Sequence, residues 1–168
     1  MRDKGYFIDV PGETRTLGRY LSRMSYQGRD GFTNDPEVAA DMNEAQARWL
    51  AARLGLPPGS YTLVESRPIL AAHRRALREK RVVAQRVTEA LATKIRRRFH
   101  GLGVFVGGKT KREVSVSLAG LQIAEFYVDL DAKIHRVGSG DEGGIENACW
   151  HISKRIAEIR LAADLAQA

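Results

Sequence analysis

The chain predicts an α+β fold: a long basic central helix and a C-terminal helix packed on a short antiparallel sheet, preceded by a small N-terminal α/β lobe. Three observations carry that expectation. From Pro68 to about Phe99, Leu70, Leu77, Ala84, Val87, Leu91, Ile95 and Phe99 recur at spacings of three, four and seven, one stripe on a 3.6-residue repeat. After His100 the period changes to the alternation of strands. From Ile145 the helical period returns through Cys149, Ile152, Ile156, Ile159 and Ala163. Residues 1–66 make the expected lobe and residues 67–168 the rest.

In chain order, Gly5 to Val10 alternates well enough for an opening strand, and Pro11-Gly12 ends it with turn chemistry. Thr14 to Met24 reads as a modest helix with Leu17, Tyr20, Leu21 and Met24 on one side, and Gly28 to Asp35 as a polar loop. Asn34 or Asp35 then caps a second helix, with Pro36 in its first turn, Gly55 at its end, and Val38, Met42, Ala45, Trp49 and Ala52 as its buried stripe. Pro57-Pro58-Gly59 makes a rigid turn, and Tyr61 to Glu65 a strand that pairs with the first.

The long helix follows. It holds no glycine, and its only proline sits in the first turn, where a missing N–H costs little. At ~1.5 Å per residue it makes a rod of roughly 48 Å. Val104 to Val106, Val114 to Leu118 and Ile123 to Leu130 read as strands, with Lys133 to Val137 as a fourth. Val114, Val116 and Leu118 point one way while Ser115 and Ser117 point the other, as in a sheet with one buried face. Gly138 to Gly144 reads as an acidic, glycine-rich loop.

The charge is unevenly placed. Residues 1–66 carry a net −1 and residues 113–168 a net −4, whereas residues 67–112 carry +12. Between Arg67 and Arg98 there are eleven Lys or Arg and only two acids, Glu79 and Glu89. Ordinary surface helices mix Glu with Lys because i,i+4 pairs support them; here the cations repel one another, which is tolerable when a partner supplies the counter-charge.

Other features exclude function classes. A chain of 168 residues can bury a core without metal or disulfide support. The single cysteine, Cys149, rules out an internal disulfide framework and any multi-cysteine metal site, and makes a reducing, cytoplasmic compartment the default. No apolar run is long enough for a membrane span, and the first ten residues lack the core of a secretory signal.

Several motifs are met only in letter. Gly103 to Thr110 satisfies G-x-x-x-x-G-K-[ST], but that phosphate loop must open a helix, and a strand follows here; a turn at Gly107-Gly108 with Lys109, Lys111 and Arg112 at its tip fits better. Asp131-Ala132-Lys133, with Asp129, Glu125 or Glu113 upstream, has the form of a nuclease metal element, yet also of a polar hairpin loop. A DNA-reading helix-turn-helix in the first lobe fails on its long connection and on Glu37, Asp41 and Glu44, which would meet phosphate with the wrong sign. Cys149 and His151 are two apart on a helix and cannot meet as nucleophile and base. No catalytic, metal or cofactor set emerges.

The order helix, three strands, helix from residue 68 onward resembles, in topology alone, the double-stranded RNA-binding domain. That family places a lysine cluster at the start of its second helix, over phosphates, where this chain has Asp141, Glu142 and Glu146. The resemblance therefore implies that any RNA contact falls to the first helix.

The expected function is non-catalytic, largely sequence-independent binding of DNA or RNA. Arg74, Arg75, Arg78 and Arg81, with Arg96, Arg97 and Arg98 and the tip residues Lys109, Lys111 and Arg112, are the expected phosphate contacts. The rival is a protein-binding module or small inhibitor that docks its basic helix on an acidic protein surface. A third reading is a homo-oligomer in which apolar stripes pair across subunits.

Overall fold

The N-terminal alternation produces β1 (Tyr6–Asp9), and the chain then forms β2 (Tyr20–Leu21), β3 (Phe32–Thr33), α1 (Glu44–Arg53), β4 (Thr62–Glu65) and α2 (Ser66–Arg98). Five strands follow, β5 (Leu102–Gly107), β6 (Glu113–Leu118), β7 (Leu121–Val128), β8 (Ile134–Arg136) and β9 (Glu142–Gly143), before α3 (Ile145–Gln167). This computed structural model describes residues 4–11, 19–22 and 31–167. It divides into two compact units, Met1–Ala76 and Leu77–Ala168, so the division falls inside α2 rather than ahead of it.

In the first unit, β1 pairs with β4, as the sequence predicts; the pairing is antiparallel, with Tyr6 opposite Glu65 and Asp9 opposite Thr62. The sheet has four strands in the order β3-β2-β1-β4, because Tyr20–Leu21 and Phe32–Thr33 are strands and not the expected helix and loop. Residues 14–18 and 23–24 of that helix and 28–30 of that loop lie outside the described residues, while Ser22 bridges Ala39. Adjacent residues Tyr20 and Leu21 are both buried, Tyr20 against Phe7 and Ala39 and Leu21 among Ile8, Leu50 and Ala51. A strand covered on both faces buries neighbours in sequence, and that pattern mimics an i,i+3,i+4 helix over so short a run.

The start of α1 also differs from expectation. Asp35 caps only a turn, its Oδ1 accepting from the Glu37 N–H at 2.9 Å. The helix begins after Asn43, whose side chain accepts from Gln46 N at 2.9 Å while Gln46 Oε1 accepts from Asn43 N at 3.1 Å, a reciprocal capping box. Val38 and Met42 therefore precede the helix, and its buried face is Ala47, Leu50 and Ala51. Ala45 and Ala52 are exposed, and so is Trp49, which lies under the Arg53 guanidinium at 5.3 Å. Gly55, at φ 68°, ends the helix where the sequence places the stop.

The long helix keeps its predicted stripe. Ala84, Leu91 and Ile95 are fully buried, and Leu70, Leu77, Val87 and Phe99 half-buried. Ile69 and Leu70 pack in the first unit beside Phe7, Tyr20 and Ala39, which explains why the first turns of α2 belong there.

In the second unit the strands form one antiparallel meander, β5-β6-β7-β8-β9, joined in part by a tight turn whose residues Ala119 (φ 49°) and Gly120 (φ 84°) both lie in the left-handed region. Val114, Val116, Phe126, Val128 and Ile134 bury one face of the sheet against Leu91, Ile95, Cys149 and Ile152 of the two helices. The fifth strand forms inside the expected loop: Gly143 pairs with Ile134 and Glu142 with His135, a register that local alternation cannot reveal in two residues. The C-terminal stripe holds through Ile159, but Ala163 is exposed, as is every described residue from Arg160 onward. Among the described residues no helix is long and apolar enough to cross a membrane.

Candidate nucleic-acid interface

Within the second unit, α2 has two charged flanks with different fates. On one, Lys80 reaches Asp131 at 2.7 Å, and Lys94 and Arg98 converge on Glu146 at 2.8 and 3.0 Å. The Lys94 hydrogen bond and charge, with Arg98 behind them, hold the Glu146 carboxyl below its ordinary value. On the other flank, Arg78, Arg81 and Gln85 follow at spacings of three and four, one helical face. Arg78 and Arg81 are exposed and meet no carboxylate among the described residues.

That second flank carries the β5–β6 hairpin. Gln85 Nε2 donates to the Thr110 carbonyl at 3.1 Å, and Arg96 Nη2 to the Val104 carbonyl at 3.0 Å, so the tip and its strand lie along the helix. The turn spans residues 108–112 and not Gly107-Gly108 alone, with Gly108 at φ 79° and Lys111 at φ 53°. Lys109 and Lys111 are exposed on it and unmatched by any carboxylate among the described residues. A strand precedes the turn and a strand follows, so GVFVGGKT is hairpin and not a phosphate loop opening a helix.

The predicted site residues therefore separate. Arg78, Arg81, Arg97, Lys109 and Lys111 are exposed and without carboxylate partners among the described residues. Arg98 is taken by Glu146, and Arg96 secures the β5 backbone. Arg112 is half-buried: Nε donates to Thr110 Oγ1 at 3.1 Å, Nη1 to the Val128 carbonyl at 3.2 Å, and the guanidinium lies 5.0 Å from the Tyr127 ring centroid. It holds the turn to β7. In the first unit, Arg74 pairs with Glu37 at 2.7 Å, while Arg75 is exposed and has no ion pair among the described residues.

Sequence reasoning passed over Arg86. It is exposed, and with Glu89, Thr93, Lys94, Arg97 and Glu146 it lines an open groove of about 540 Å³, in which Glu89 makes no ion pair with either arginine. Arg86 and Arg97 stand eleven residues apart, three helical turns, so they share one outward ridge about 16 Å apart along the axis. That spacing was legible in the sequence.

The remaining motifs are committed elsewhere. Asp131 holds Lys80, and Lys133 holds Glu142 at 2.9 Å. Asp129 Oδ1 accepts from the Asp131 and Lys133 N–H groups, both at 2.9 Å, and its Oδ2 meets His135 Nε2 at 2.8 Å, so it shapes a polar turn. Among the described residues no group of three or more His, Cys, Asp or Glu is placed to hold a metal ion. Cys149 is buried in the core, and that burial pushes its thiol up. Where the double-stranded RNA-binding topology would set lysines, Glu146 instead closes the Lys94–Arg98 pair, and five strands stand in place of three. Comparisons with protein-family models, curated proteins and solved structures find no match to this chain.

Proposed function

We propose that the second unit binds DNA or RNA non-catalytically, by its phosphate backbone and largely without regard to sequence. The observation that carries this reading is the asymmetry of α2. Its Lys80, Lys94 and Arg98 flank is neutralised from within the chain, while Arg78 and Arg81, the adjoining Lys109 and Lys111, and the ridge of Arg86 and Arg97 meet no carboxylate among the described residues. Cations crowded together without counter-charge raise the free energy of the isolated molecule, and phosphate relieves it. Cys149, a free and buried thiol, suits a reducing compartment, and we place the protein in the cytoplasm.

The test is fluorescence anisotropy with random-sequence duplex DNA and duplex RNA across a salt series. Six phosphate contacts imply a loss of affinity of about 10³-fold between about 50 and 200 mM salt, through counterion release. The double substitution Arg78→Glu/Arg81→Glu lowers affinity and reduces the salt slope by about two. Lys80→Gln/Lys94→Gln, on the paired flank, changes both much less. Absence of binding to every nucleic acid at low salt overturns the reading and directs the search to an acidic protein surface.

A further inference from the structure

Between β8 and α3, Arg136, His151, Lys154, Arg155 and Glu158 line a cavity of about 190 Å³. None of these residues belongs to α2 or the hairpin tip. His151, Arg155 and Glu158 follow at i, i+4 and i+7 and share one ridge of α3. Arg136 closes the cavity from the sheet, its Nη1 3.3 Å from His151 Nδ1. A guanidinium only donates, so a hydrogen bond across this contact requires the ring nitrogen to be the acceptor.

The lining sets three cations against one carboxylate, Glu158, which engages Arg155 Nη1 at 3.0 Å. Asp141 stands 3.9 Å from Arg136 Nη1 and 3.8 Å from His151 Nε2, too far for hydrogen bonds. It trims the positive excess through these long ion pairs without closing a hydrogen bond to either group. The cavity adjoins an aromatic plane. Trp150 is 55% exposed, stands edge-on to the His151 ring at 4.9 Å between centroids, and has Lys154 Nζ 5.5 Å from its ring centroid. Lys154 thus lines the cavity and covers part of the indole at once.

An exposed indole beside a pocket of guanidinium and ammonium groups can hold both halves of an unpaired nucleotide, the base by stacking and the phosphate by charge-assisted hydrogen bonds. We propose that this is a nucleotide site, taking a phosphate among Arg136, His151, Lys154 and Arg155 and the attached base on Trp150. It stands independently of the α2 interface.

The chain has two tryptophans, so Trp49→Phe leaves Trp150 as the only indole reporter. In that background, adenosine 5′-monophosphate quenches the emission saturably, and adenosine without phosphate binds about tenfold more weakly or less. Arg136→Gln and the exposed-site variant Lys154→Gln each weaken the nucleotide about tenfold, with unchanged circular dichroism. Arg78→Glu/Arg81→Glu leaves this titration intact even where it abolishes duplex binding, so failure of one site is distinct from failure of the other. A 5′-phosphorylated single strand binding more tightly than the mononucleotide identifies a strand end as the ligand; the reverse order identifies a free nucleotide. Quenching that rises linearly without saturation, or that adenosine and both variants reproduce in full, overturns the assignment.

Discussion

Gln85 Nε2 donates to the Thr110 carbonyl across 3.1 Å, and this bond ties the turn between β5 and β6 to the side of α2. The carbonyl it takes lies between the two lysines of the tip. One neutral contact thereby sets Lys109 and Lys111 beside the flank of Arg78 and Arg81.

Replacing that amide separates support of the turn from its charge. Gln85→Ala removes one hydrogen bond, at a cost of about 1 kcal/mol, and no charge. Amide hydrogen exchange at residues 109–111 is expected to accelerate, and duplex affinity to fall about threefold because the lysines lose their placement. Unchanged exchange at the tip would show that the hairpin holds itself.

The core of the second unit rests on α2. Leu91 is fully buried among sheet and α3 side chains, so Leu91→Ala leaves a cavity that the surrounding layers fill only in part. The expected loss is about 2–5 kcal/mol in a urea titration. Val83→Ala, at a half-exposed position of the same helix, is expected to move the midpoint by no more than about 0.5 kcal/mol.

Ala119 adopts φ 49° ahead of Gly120 at φ 84°, in the two-residue connection between β6 and β7. An alanine Cβ crowds the following carbonyl there, whereas asparagine tolerates the left-handed region. Ala119→Asn is expected to stabilise the chain by about 0.5–1 kcal/mol, read as a rise in thermal midpoint. A lowered midpoint would mean that the turn is held by something other than its own backbone.

Acid sensitivity follows from Asp129. Burial raises its carboxyl, but the hydrogen bond from His135, the Lys133 and Asp131 N–H groups and the charge of His135 outweigh burial and leave it below the ordinary aspartate value. A carboxyl depressed in the folded state adds stability that is present above its unfolded pKa and lost as the pH falls through the folded one. Asp129→Asn is therefore less stable than the unmodified chain near neutrality, and the gap closes below about pH 4. Urea midpoints through that range measure it, and a gap constant with pH would reject the linkage.

How much was readable in advance depends on the distance over which each feature is decided. The stripe of α2 from Leu70 to Phe99, the two-faced alternation of Val114 to Leu118 and the Gly55 stop repeat or act within a few residues, and each appears in the structure where the sequence places it. Tyr20–Leu21 was unreadable for the converse reason. Two buried neighbours fit either period until Phe7 and Ile8 of another strand are known to cover them.

The amino-acid order alone determined an α+β chain whose excess positive charge lies in one helix and one turn, because hydrophobic period and net charge are local sums. Only the tertiary structure decided which of those cations are paired within the chain. Lys80 finds Asp131 across 51 positions and Arg98 finds Glu146 across 48, pairings created when the sheet and α3 fold back along α2, while Arg78, Arg81 and Arg86 receive no carboxylate among the described residues. Neutralisation depends on distances of a few ångströms between remote residues, and chain topology sets those distances where periodicity cannot.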